Sequence, residues 1–125
     1  MNGKTVRQAK HPPSQWFVEC SNPFTNESIA AFLAERGIGE AEAKHPGLED
    51  HLGHPRDVWE IPSYCVSALR KAKQSNSQFQ CRFFVRHHRD AALYPADFIE
   101  GRGLPQQVRN AQHALRRLQS QKQSS

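Results

Sequence analysis

The sequence predicts a small two-layer α/β sandwich, with α+β as the alternative class. Three observations carry this. The 125 residues are 37% hydrophobic, enough for one domain and too few for two cores. Three short β-rich runs are separated by segments of helical period, giving a β-α-β-α-β-α order. The last of these runs, QFQCRFFVRHHRD at Gln78–Asp90, alternates strictly, so one face of the sheet is apolar and the other is not. The expectation is a three-stranded twisted sheet with about three helices, largely on one side. Helical crossovers favour parallel strands.

In chain order, residues 1–14 carry Lys4, Arg7, Lys10 and Pro12-Pro13 with almost nothing to bury, and read as a flexible basic tail. The single domain spans 15–118, and 119–125 form a flexible polar tail. Trp16–Cys20 is aromatic and β-branched, a strand ended by Ser21-Asn22-Pro23. Asn22 or Thr25 caps the first helix, whose buried stripe is Ile29, Phe32 and Leu33. Gly37 and Gly39 stop it. Residues 38–57 read as irregular, with helical turns at Ala41–Lys44 and Gly47–Leu52. Val58–Ile61 is a brief strand. A second helix runs from Pro62-Ser63 to Lys73, burying Cys65, Ala68, Leu69 and Ala72. After the Gln78–Asp90 strand, residues 90–103 form a long connection pinned by Leu93, Tyr94, Phe98 and Ile99. Pro105 then opens a last helix with a Val108, Ala111, Leu115, Leu118 seam, expected to pack on the sheet. A short strand hidden in 38–57 or 91–103 would make the sheet mixed.

No apolar run approaches the ~20 residues of a membrane span, and the N-terminus has no secretory h-region, so a cytoplasmic protein is expected. Cys20, Cys65 and Cys81 have no C-x-x-C spacing and read as small buried hydrophobes. The net charge of +5 is uneven. Residues 1–62 hold six Lys/Arg against nine Asp/Glu, and residues 63–125 hold eleven against three. Such asymmetry points one surface at an acidic partner.

Arg82, Phe84, Arg86 and His88 share one strand face. Guanidinium groups can meet phosphates while the ring stacks on a base. The face lacks the glycines of the sheet-surface RNA signature and has one aromatic where two or three are usual. The structural alternative places Phe84 under a loop or helix, with the arginines paired to Glu19 or Glu60. Arg70, Lys71, Lys73, Arg116 and Arg117 extend the basic set along the helices. His45, His51, His54 and Asp57 are weak metal-ligand candidates, since their spacing matches no ligand pattern. His87-His88 with Asn110 and His113 suggests a metal-dependent nuclease, but the helical wheel turns the last two away from the seam. No phosphate-cradling glycine loop, G-x-S-x-G or H-E-x-x-H occurs.

The expectation is a small basic binding protein, not an enzyme and without cofactor, monomeric or homodimeric and not membrane-bound. Its C-terminal half engages nucleic acid or a nucleic-acid-handling complex. The alternatives are a protein–protein adaptor or inhibitor, acting through the acidic 40–57 loop, and a metal-dependent hydrolase.

Overall fold

The computed structural model describes residues 14–87 and 91–124, with 115–124 described by backbone alone. Of the N-terminal tail expected over 1–14, residues 1–13 lie outside the described residues.

Strand β1 (Gln15–Cys20) is followed by helix α1 (Pro23–Ala34). Asn22 is extended, with φ −154°, and its Oδ1 accepts from the Thr25 N–H at 2.8 Å. Pro23 occupies the first turn, where no N–H is needed. The Asn22 Nδ2 and Thr25 Oγ1 both donate to the Gln78 carbonyl, tying the cap to the chain before the fourth strand. Replacing Asn22 by Ala is expected to lower the unfolding free energy by about 1 kcal/mol in urea titration, the usual loss for a cap.

A one-turn helix α2 (Glu40–Ala43) runs directly into β2 (Lys44–Glu49), which turns back into β3 (Pro55–Ile61). A 3₁₀ turn at Ser63–Cys65 leads to α3 (Val66–Ser75) and then β4 (Cys81–Arg86). The two-residue β5 (Tyr94–Pro95), the one-turn α4 (Ala96–Ile99) and the long α5 (Pro105–Ser124) complete the chain.

Among the described residues the sheet therefore has five strands, not three, and there are five α-helices, not about three. The strand order is β2-β3-β1-β4-β5, and every neighbouring pair is antiparallel. The expectation of parallel strands fails for a definite reason. The α1 crossover does join strands of one direction, β1 and β2, but β3 folds back between them. The α3 crossover joins β3 to β4, with β1 between them. Each crossover skips one position, the split β-α-β pattern.

Both strands the sequence concealed sit at sheet edges. Residues 44–49 read KHPGLE, poor β-formers, and an edge tolerates the missing N–H of Pro46. Gly47 adopts φ +88° where the β2–β3 register shifts between Pro46 and Leu48, a conformation that only glycine takes without strain. The Leu48 and Leu52 spacing expected to make a helical turn belongs instead to the hairpin, and Leu52 is exposed. β5 is too short to give a periodic signal.

The helix-side core joins Val18, Trp59, Ile61, Phe83 and Val85 of the sheet with Ile29, Leu33, Val66 and Leu69 of the helices. The opposite face is not open to water. Phe17, Val58, Phe84 and Leu93 form a second cluster and are all fully buried. The two sheet edges meet across that face. Asp50, next after β2, bridges in parallel to Leu93, just before β5. The Leu93 N–H donates to the Glu49 carbonyl at 3.0 Å and the His51 N–H to the Leu93 carbonyl at 2.9 Å. A sheet with one solvated face was expected; the hairpin tip and the 91–95 segment close it instead. Helix α5 packs chiefly on α4 rather than on the sheet, with Gln112 donating to the Ile99 carbonyl and Ala111 and Ala114 buried.

Candidate functional site

The closed face separates the residues expected to act together. Phe84 has no exposed surface, so its ring is not offered to a base. The Arg86 side chain is buried, its guanidinium 5.0 Å from the Phe17 ring centre and its Nε donating to Gln15 Oε1 at 2.9 Å. Of the described residues in this row only Arg82 is exposed, lying 5.1 Å from the Phe84 ring centre. His88 lies outside the described residues, as do the side chains of Arg116 and Arg117.

The arrangement at the hairpin tip was invisible in the sequence. The Asp50 side chain is buried and accepts from the Leu52 and His54 N–H groups, each at 2.9 Å, and from Arg56 Nε at 3.0 Å. Burial alone would raise its pKa; the two backbone donors and Arg56 outweigh this and hold it at about 2. Arg56 also reaches Glu19 at 3.3 Å. Arg82 is the cross-strand partner of Glu19, but that carboxylate is taken by Arg56. Arg82 makes no ion pair among the described residues.

The metal candidates do not converge. His45 Nε2 lies 3.0 Å from Glu60, and Asp57 lies 3.5 Å from Lys44 Nζ. His51 stacks on Tyr94 with ring centres 5.0 Å apart and meets Phe98 edge-on. Its Nδ1 is buried without a hydrogen bond among the described residues, and burial lowers its pKa. His54 is exposed, 3.8 Å from Asp50. No three His, Cys, Asp or Glu side chains among the described residues are grouped to hold a metal ion. Asn110 and His113 are exposed on α5.

What does converge is a cleft of about 550 Å³ beside the open end of β4. Arg70, Lys73 and Gln74 of α3 form one wall, Arg82 and Phe83 the floor, and Asp97 and Arg102 the other wall. Three of these cations, Arg70, Lys73 and Arg82, were singled out in the sequence; Lys71, on the same helix, is exposed and does not line the cleft. Arg70 lies over Trp16 and Phe83 at about 5.5 Å and grips Glu100 through both carboxylate oxygens, at 2.8 and 2.9 Å. Lys73 Nζ donates to the Cys81 carbonyl at 2.7 Å.

Comparison with protein-family models, curated proteins and solved structures finds no match.

Arg102 was missed because it stands alone in a connection with no periodicity. Its flanking glycines were the available signal. Gly103 adopts φ +136°, and a Cβ there would lie 2.8 Å from the Phe98 ring, so only glycine lets the chain turn here and present Arg102. Asp97 and Glu100 both accept from the Arg102 guanidinium. With Glu100 included, the cleft holds four cations and two carboxylates, an excess of two positive charges. No helix among the described residues is long and apolar enough to cross a membrane.

Proposed function

We propose that this is a non-enzymatic binding protein that engages nucleic-acid phosphates through the cleft beside β4. The observation that carries the reading is Arg82, exposed among three further cations while its cross-strand carboxylate is committed to Arg56. A phosphate entering the cleft meets Arg82 and Lys73 directly, and competes with Glu100 for Arg70 and Arg102. Recognition is through charge, since the aromatic rings of the sheet face are sealed. Sequence preference is accordingly weak and salt dependence steep.

Fluorescence polarisation with short single-stranded and duplex oligonucleotides tests this. Binding is expected at low salt. Arg82→Ala should weaken it roughly tenfold and lower the salt slope by about 0.7–0.9. No association with any DNA or RNA at low salt would reject the reading.

A second reading, an adaptor for an acidic protein, rests on the backbone of β4. The Ser21 N–H donates to the Gln80 carbonyl, which fixes the alternation of the β1–β4 ladder. Cys81 and Phe83 therefore direct their backbone groups away from β1, while β5 pairs only with Phe84 and Val85. An extended acidic segment adding at that edge would displace Lys73 from the Cys81 carbonyl and pair its own carboxylates with that lysine. Partner capture that survives nuclease treatment, with no oligonucleotide binding, would favour it. The acidic 40–57 loop supports an adaptor less, because Asp50 and Asp57 are already paired to Arg56 and Lys44.

A further inference from the structure

The three cysteines form no motif in the sequence, but the fold sets two of them face to face. Cys20 of β1 and Cys81 of β4 are directly paired across the ladder. The Ser21–Gln80 bond makes the neighbouring pair a hydrogen-bonded one. Pairs of the two kinds alternate, so Cys20–Cys81 is of the non-hydrogen-bonded kind, with Cα atoms about 4.5 Å apart and side chains drawn close. That separation lies within the range of about 4.4–6.8 Å that a disulfide spans. Both side chains lie on the helix side, Cys81 inside the core and Cys20 packed against it. Cys65 is buried in the 3₁₀ turn before α3 and is not part of the β1–β4 pairing.

Access is one-sided. Cys81 is buried, whereas Cys20 is half-buried and lines a surface cleft of about 530 Å³ with Glu19, Asn26, Lys44 and Asp57. One cysteine is thus placed to meet a reagent and the other to resolve the product.

We propose that Cys20 and Cys81 are a redox-active dithiol that a small-molecule disulfide converts to a cross-strand disulfide joining β1 to β4. The Cys20 thiolate attacks one sulfur of the oxidant, breaks its S–S bond and releases one thiol. The Cys81 thiolate then attacks the Cys20 sulfur of the mixed disulfide and releases the second thiol. The two protein thiols give up two electrons and two protons, and the oxidant leaves as two thiols.

Burial, and then the neighbouring Cys81, push the Cys20 thiol up to about 12, and burial raises Cys81 as well. The reaction is therefore slow at neutral pH and accelerates as pH rises. It is independent of the phosphate reading, since it uses a different cleft.

The test is incubation of the full chain with glutathione disulfide at pH 8–9 (about the ordinary thiol pKa), acid quenching, alkylation in denaturant, and mass spectrometry. A loss of about 2 Da, a linked Cys20–Cys81 peptide and a fully alkylated Cys65 are expected. Cys65→Ser should behave identically, which keeps the test open whether or not variants at the pair fold. Cys81→Ser should stop at the glutathione adduct on Cys20. Linkage through Cys65, or native protein that stays fully reduced while the denatured chain oxidises, would overturn the proposal.

Discussion

Replacing Phe84 by Ala should lower the unfolding free energy by about 3–5 kcal/mol, the range for deleting a buried phenylalanine. Phe84 has no exposed surface and sits with Phe17, Val58 and Leu93 on the face closed by the hairpin tip. Two guanidinium groups flank it, Arg56 at 5.5 Å and Arg82 at 5.1 Å from the ring centre. Truncation removes the ring's contacts and leaves a cavity beneath charged side chains. Urea titration at neutral pH measures the loss. A stacking residue on an open platform would behave in the opposite way, losing affinity while leaving stability within about 0.5 kcal/mol. Phe84→Leu, which keeps most of the apolar volume, should recover much of the difference.

Asp50→Ala should be nearly as damaging, about 2–4 kcal/mol, because it removes the buried member of an ion pair and the acceptor of two backbone N–H groups. The Leu52 and His54 N–H groups lose their acceptor, and Arg56 keeps only Glu19. The pH dependence gives an independent check. The Asp50 pKa falls from an ordinary 3.8 to about 2 in the folded state. A carboxylate depressed in this way contributes stability that is complete above its unfolded pKa. That contribution disappears as pH drops through the folded value. The gap between wild type and Asp50→Ala should therefore narrow by about 1.5–2 kcal/mol between pH 4 and pH 2. A gap independent of pH would show that the carboxylate charge is not what holds the hairpin tip.

The legible parts of the sequence were those with local physics. Asn22-Pro23 marks the start of α1 because capping and the proline first turn depend on adjacent residues only. Cys81, Phe83 and Val85 reveal their face through period-two alternation. The edge strands were hidden because their pairing is imposed by neighbours: KHPGLE has no strand pattern of its own, and Tyr94–Pro95 is too brief for one. The same limit explains the site. Arg70, Lys73 and Arg82 were recognisable as a basic excess. Which of them lacks a carboxylate depends on Arg56 claiming Glu19, residues 37 positions apart. Arg102 enters the cleft only because Gly103 lets the chain turn against Phe98. The burial of Phe84 follows from closure of the sheet, which no alternation pattern within one strand encodes.

The bridge between Asp50 and Leu93 also bears on how the molecule assembles. It joins the segments flanking the two outermost strands, so its native geometry depends on β3, β1 and β4 being lined up between them. Its loop-closure entropy must be met before its hydrogen bonds return anything. A contact of this kind is expected to form late, so weakening it should raise the unfolding rate in stopped-flow urea jumps and leave the folding rate nearly unchanged. On that expectation the bridge is a kinetic latch, governing how long the native state lasts rather than how fast it is reached.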